Sequence, residues 1–458
     1  MILRSLLIWV VCLLCPAVLL AESAVTPAET ERWLRDYLRI DTSNPPGNEH
    51  LAAAFLADLL HREGIATQLL VTASGRTNLF ARLPGRRSGE GLLLVHHMDV
   101  VPPGPGWKVE PFAGKIEDGV LWGRGVIDVK SLGIAQLAAL ISLKRQGVVL
   151  ERDVALLAVA DEESGGGQGA AWLWQHHPEI FAGIAAVINE GGANRKPPAG
   201  LLWWGIETAQ KRPFWLRVST TGRGGHGSGL NPHSAMHKLT RALARVLNRP
   251  ASFRVTDAAR QYLGAVAPYD SPQFEPYYRD LDAYVKADGP TGPMLPGVAN
   301  LFLDTVQLTV IEGGERINVV PARASALLDV RLLPDTDNQV FLEDLRQVLG
   351  SGVAIEVLVA SPPAAASPTD TRLFAALEAV LSPEAPVVPA FIAGFTDSRF
   401  FRERGVTTYG VSPFALGGLE LQGIHGANES IPLAEFARGT ERLFRVVEMY
   451  TSDWQFQD

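Results

Sequence analysis

Three short apolar runs, each ending in metal-type ligands, constrain this chain more than any other feature of its sequence. Leu92-Leu93-Leu94-Val95 runs into His96-His97-Met98-Asp99, residues 154–160 run into Asp161-Glu162-Glu163, and residues 184–188 run into Asn189-Glu190. The runs lack the apolar–polar alternation of half-exposed strands, and helical patterns at 131–146 and 169–176 separate them. Apolar strands alternating with helices form a parallel sheet covered on both faces. In such sheets, sites assemble at the carboxyl ends of the strands, where all three clusters fall.

The spacing inside the clusters adds chemistry. Residues two apart on a strand share a face, so Asp99 can steady the ring of His97, while His96 points the other way and reads as a packing residue. The adjacent Glu162 and Glu163 leave their strand in different directions. One can bind a metal while the other stays free to move protons, as hydrolysis by metal-activated water requires. Asp128, in Gly123-Arg124-Gly125-Val126-Ile127-Asp128-Val129-Lys130, either caps the helix that follows or bridges two metals. Two other motifs fail: Val129 stands where a phosphate loop needs glycine, and Gly410-Val411-Ser412-Pro413-Phe414 lacks the last glycine of a hydrolase elbow.

Composition excludes several classes. The 458 residues are 47% hydrophobic and 20% charged, which suits a globular core and not a disordered chain. The net charge of −8, without basic runs, argues against a nucleic-acid partner. Only residues 6–20, behind Arg4, approach membrane length. With Pro16 inside and small residues at 21–24, they read as a secretory signal cleaved after Ser23, an uncleaved membrane anchor being the alternative. Export to the periplasm or medium would follow. Both cysteines, Cys12 and Cys15, lie in that segment, so the mature chain must bind metal through His, Asp and Glu.

Past residue 213 the pattern changes. An alternating strand at 214–221, a helix at 233–247, strands at 298–311 and 322–332, a helix at 338–349 and a strand at 353–359 give the order β-α-β-β-α-β, a split βαβ sandwich. Residues 250–296, rich in Tyr, Pro and Asp, read as a long loop or insertion, and 361–368 as a link back to the first domain, which a strand at 407–411 helps to complete. The expected division is a signal at 1–23, a catalytic domain at 24–211 and 362–458, and an inserted domain at 212–361.

Taken in order, His97-Met98-Asp99-Val100-Val101-Pro102, Gly123 to Lys130, Asp161-Glu162-Glu163, Asn189-Glu190-Gly191-Gly192, Gly225-His226-Gly227-Ser228, Thr396-Asp397-Ser398-Arg399 and Ile424-His425-Gly426-Ala427-Asn428-Glu429 resemble the dinuclear zinc peptidases. That family includes aminoacylase, bacterial glutamate carboxypeptidase and carboxypeptidase S. The residues around His425 most resemble the carboxypeptidase S and fatty-acyl amino acid hydrolase branch. The resemblance implies an α/β catalytic domain with a mostly parallel sheet and an inserted ferredoxin-like α+β domain serving as lid and dimerisation unit. It implies two Zn2+, replaceable by Co2+ or Mn2+, with His97 and Glu190 on one, Glu163 and His425 on the other, and Asp128 between them. Glu162 falls on the general base, Asp99 on the carboxylate that steadies His97, and Arg399 on the grip for a substrate carboxylate. His226 falls on a residue that polarises the scissile carbonyl, often from the partner subunit of a homodimer. The implied reaction cleaves an amide beside a free-carboxylate amino acid in a small peptide or N-acyl amino acid. Membrane contact would need an uncleaved N-terminal segment. One departure is Asp304, where many relatives carry Asn.

Overall fold

The computed structural model describes residues 24–288 and 297–454; the segment read as an export signal lies outside the described residues. In chain order, the central sheet takes β1 (Thr67–Val71), β2 (Thr77–Leu83), β3 (Arg87–His97), β4 (Arg152–Val159), β5 (Ile184–Asn189) and β6 (Trp204–Gln210). The chain then leaves to build a second sheet from β7 (Arg212–Thr221), β8 (Thr305–Glu312), β9 (Arg323–Leu332) and β10 (Val353–Ala360), and returns with β11 (Val387–Ile392) and β12 (Thr407–Gly410).

The central order is β1-β2-β4-β3-β5-β12-β6-β11. β4, β3, β5 and β12 run parallel, as do β6 and β11, while β1, β2 and the β12–β6 contact are antiparallel. This is the expected mostly parallel sheet. Its register sets Leu92 beside Val154 and Ala186, and His97 beside Val159, so the carboxyl ends of β3, β4 and β5 lie side by side. The helix Ser131–Arg145 is buried on nearly every side, which explains its apolar composition all round.

The second sheet is antiparallel in the order β8-β9-β7-β10, with the helices Ala235–Leu247 and Asn338–Leu349 on one face, as the split βαβ pattern requires. Alternation does the sorting: Phe214, Leu216 and Val218 of β7 bury against those helices, and Trp215, Arg217 and Ser219 face the other way.

Three expectations need correction. The stretch 250–296 is helical where described, with helices Asp257–Val266, Glu275–Arg279 and Leu281–Asp288. Ala259, Leu263 and Leu281 pack there with Trp203, Phe302 and Phe391 as a separate apolar cluster against the edge strand β11. Of the three, only Asp257–Val266 is long enough to repeat its apolar residues at helical spacing. The strand expected at 298–311 begins only at Thr305, after a short turn of helix. Strands β6 and β11 escaped notice because β6 carries Glu207 and Gln210 and β11 carries Pro389. Glu207 is buried by pairing with Arg402, Nη1 to Oε1 at 2.5 Å.

Candidate metal centre and active site

His97 closes β3, and its ring is fully buried. Its Nδ1 donates to the Asp99 carbonyl at 2.8 Å; a carbonyl only accepts, so Nδ1 carries the hydrogen and Nε2 is left to ligate. Nε2 lies 3.0 Å from Asp128 Oδ1 and 3.5 Å from Glu190 Oε1. The other Asp128 oxygen is 3.1 Å from His425 Nε2, which is 3.2 Å from Glu163 Oε2. The ligand atoms thus form two triads, His97–Asp128–Glu190 and Asp128–Glu163–His425, each within 4.8 Å internally and joined through Asp128. Among the described residues no other such group occurs.

The cluster fits divalent cations. Asp128, Glu162, Glu163 and Glu190 crowd round two imidazoles, and Glu163 Oε1 is buried without a hydrogen-bond partner. Burial, then the charge of Glu190, pushes the Glu162 carboxyl well above its usual range; burial likewise raises Glu190. Burial would lower His97, but Glu190 and Asp128 overcome it and raise the imidazole. Asp128 goes the opposite way, because hydrogen bonds from both histidines outweigh its burial. Glu162 belongs to neither triad, as a base that is not a ligand should.

Asp99 needs a correction of atom. The imidazole rests on its carbonyl, and the carboxylate is 3.6 Å from Nδ1. That carboxylate instead accepts the N–H of Glu162 at 3.1 Å, of Glu163 at 3.2 Å and Asn44 Nδ2 at 2.8 Å. It therefore fixes the turn bearing both glutamates. Asp161 holds the same turn from behind, accepting Gln168 N at 2.9 Å and Arg76 Nη1 at 3.0 Å. His96 is outside the centre: its ring meets Gln136 at 2.9 Å, and burial lowers it to about 4.

Three short strands, Lys115–Glu117, Val120–Trp122 and Ser430–Pro432, bring the Asp128 loop beside the His425 loop. Glu429 joins them. Its buried carboxylate accepts Gly125 N at 2.8 Å, Ile127 N at 2.7 Å, Asp128 N at 3.0 Å and Arg124 Nη1 at 2.7 Å. Sequence reasoning gave Asn44, Arg76, Asp161 and Glu429 no role, although Asp161 opens the Asp161-Glu162-Glu163 cluster and Glu429 lies four residues after His425.

Arg399, at the start of the helix Ser398–Arg402, is buried and close enough to Glu162 to interact with its charge. Nη2 donates to the Gly165 carbonyl at 2.5 Å, while Nε and Nη1 have no partner. On the Asp128–Glu190 side a cavity of about 300 Å³ opens, walled by Ile127, Val129, Leu132, Val411, Phe414 and Leu416. His226 is not brought to this centre by any contact. It is exposed on the inserted domain, and its Nδ1 is 2.7 Å from Ser228 Oγ in its own loop. Asp304 is a backbone anchor, accepting Leu333 N at 2.6 Å and Thr336 Oγ1 at 2.8 Å. Its carboxylate is engaged by this turn, which accounts for an acceptor here.

Residues 93–449 match the model of peptidase family M20/M25/M40. The chain is similar to aminoacylase-1 of Sus scrofa, 31% identical over 420 residues, covering 89% of this chain and 91% of that protein. It is also similar to the Homo sapiens N-fatty-acyl-amino acid synthase/hydrolase PM20D1, 27% identical, with 79% and 74% covered. In fold it is similar to the M20 family metallo-carboxypeptidase Sso-CP2 from Sulfolobus solfataricus, with a TM-score of 0.72, 20% identity, and 92% and 99% of the two chains covered.

Proposed function

The chain belongs to peptidase family M20/M25/M40 and is a metal-dependent hydrolase, and from that premise we propose that it hydrolyses N-acyl amino acids at the amide beside the free carboxylate. One observation carries the reading: a half-buried carboxylate outside both ligand triads, Glu162, stands near a buried guanidinium with two unused donors, Arg399. A base and an anion anchor on one flank of a metal cluster suit a substrate with an amide and a carboxylate close together. The largely apolar cavity that Asp128 and Glu190 help to line suits an uncharged acyl group, in keeping with the acyl-amino-acid names of two relatives.

We assign the triads to two zinc ions, which Co2+ or Mn2+ can replace, because His and carboxylate ligands without thiolate match these metals. When bound, the metals supply Lewis-acid polarisation of the carbonyl and a more acidic water. Glu162 takes the proton from the attacking water at its carboxylate and returns it to the leaving amine. Arg399, whose Nε and Nη1 have no partner, holds the substrate carboxylate by charge-assisted hydrogen bonds that align the amide over Glu162. Asp99 keeps Glu162 in place through the backbone.

His226 is read as donating to the carbonyl oxygen of a partner's site in a homodimer. Its exposure supports this, as do the fully exposed Leu230 and Ile317 beside it, an apolar surface that a second copy would cover. The segment 1–23 is read as an export signal.

The test is a hydrolysis screen of N-acyl amino acids and dipeptides with added zinc, cobalt or manganese. Acyl substrates should lead, and Glu162→Gln should lower kcat by at least about a thousandfold with both metals retained. Metal loss in that variant would exchange the roles of Glu162 and Glu163, and a preference for dipeptides would replace the acyl reading with a peptidase one.

A further inference from the structure

The carboxylate anchor does not stand alone on the catalytic domain. Arg399 lies against the ring of Phe395, its Cζ 4.8 Å from the centroid, and against Phe400 at 4.3 Å. A second guanidinium, Arg331 of β9 in the inserted domain, approaches the same Phe395 ring at 5.0 Å. Arg331 is held by Asp329 at 3.2 Å, and Asp329 Oδ1 accepts Trp215 Nε1 at 3.0 Å. Trp215 leans on Phe395 as well, with ring centroids 5.9 Å apart and planes at 65°. Its ring also borders Gly165, whose carbonyl receives Arg399 Nη2.

Trp215, Asp329 and Arg331 all stand on the face of the second sheet turned away from its helices. They reach the catalytic domain at Phe395, whose ring backs the anchor, and Trp215 also borders Gly165.

We infer that Trp215, Asp329 and Arg331 act through Phe395 as positioning residues for Arg399, so that the seating of the inserted domain sets how firmly the substrate carboxylate is gripped. The inference rests on Arg399 being the carboxylate anchor. A guanidinium on a long side chain has many rotamers, and its two free donors are useful only in one of them. A ring face favours the cation and restricts it. Arg331 and Trp215 hold the ring in turn, since Phe395 itself is only half-buried. Displacing the inserted domain would leave Arg399 present but loose.

The test uses the full-length, metal-loaded enzyme with Phe395→Leu, Phe395→Tyr and Arg331→Gln, assayed on an N-acyl amino acid and on its C-terminal amide. Leu keeps the apolar bulk and removes the ring. Phe395→Leu and Arg331→Gln are expected to raise KM for the acid about threefold to thirtyfold, the range of one cation–π contact, with kcat little changed. KM for the amide should not follow, and Phe395→Tyr should restore the acid KM. Arg331 is partly exposed, so its variant keeps the test open even if Phe395→Leu folds poorly. An unchanged acid KM in both variants, or an equal rise on acid and amide, overturns the inference. Arg399→Ala, run in parallel, separates the two readings. If it harms acid far more than amide while the ring variants do nothing, only the coupling falls; if it harms both equally, the anchor itself falls.

Discussion

At the residue scale, the centre is organised by carboxylates, Asp99 and Glu429, that hold the backbone of the loops bearing the candidate ligands. Glu429 gathers three backbone N–H groups, one of them that of Asp128, and neutralises the buried Arg124. Replacing it with glutamine keeps the shape but removes the charge, leaving Arg124 buried and uncompensated. Glu429→Gln is therefore expected to weaken metal binding by about tenfold to a hundredfold, as loss of an outer support does, with activity largely recovered in excess metal. Competition with a chelator measures this; an unchanged affinity would show that the Asp128 loop holds its shape without Glu429. Such residues are hard to read in a sequence because they act on backbone, which carries no residue-specific pattern. The candidate ligands were legible, since each ends a strand or sits in a short string, and the five residues named from sequence fall in two groups that could hold metal ions.

At the scale of elements, close approach is set by small residues. The helix Ser131–Arg145 crosses β3 at Gly133, where an added Cβ would lie 2.5 Å from the His96 ring. Alanine is the better helix former by about 1 kcal/mol. Overpacking a buried ring costs about 1–3 kcal/mol, so the clash wins. Gly133→Ala should lower stability by about 1 kcal/mol or more in denaturant unfolding, and a stabilised variant would mean that His96 moves freely. The parallel strands were readable because their apolar runs are unbroken. Strands β6 and β11 were not, because a buried ion pair and a proline disguise them, and the helices Glu275–Arg279 and Leu281–Asp288 were too short to show a period.

At the scale of the whole molecule, the contact surface of the inserted domain with a second copy is the proposal that most alters the picture of catalysis. The His226 ring bonds only to Ser228 of its own loop, and the proposal takes the group for each site from a second chain. Co-expressing a His226→Ala chain with a Glu162→Ala chain and isolating the mixed dimer decides it. Action between chains should return roughly half of wild-type activity, since one site then has both groups. A dead mixed dimer would confine His226 to its own chain. The division of the chain into two sheets was visible in the change from unbroken to alternating runs near residue 213. The meeting of those sheets at Phe395 was not, because contacts between distant segments leave no local trace.

One feature of the central sheet also bears on how the protein is made. Strand β12 comes from Thr407–Gly410, yet it lies between β5 and β6, in the middle of the sheet. A chain still being synthesised must therefore wait with β5 and β6 unzipped, their inner edges open to any passing strand. Because such distant pairings close slowly, the interval is long enough to matter. Only the last tenth or so of the sequence supplies His425 and Glu429, so the sheet and the metal centre are completed by the same late stretch of polypeptide. A truncated or half-finished chain is then inactive by construction, and it is also the form most in need of a chaperone.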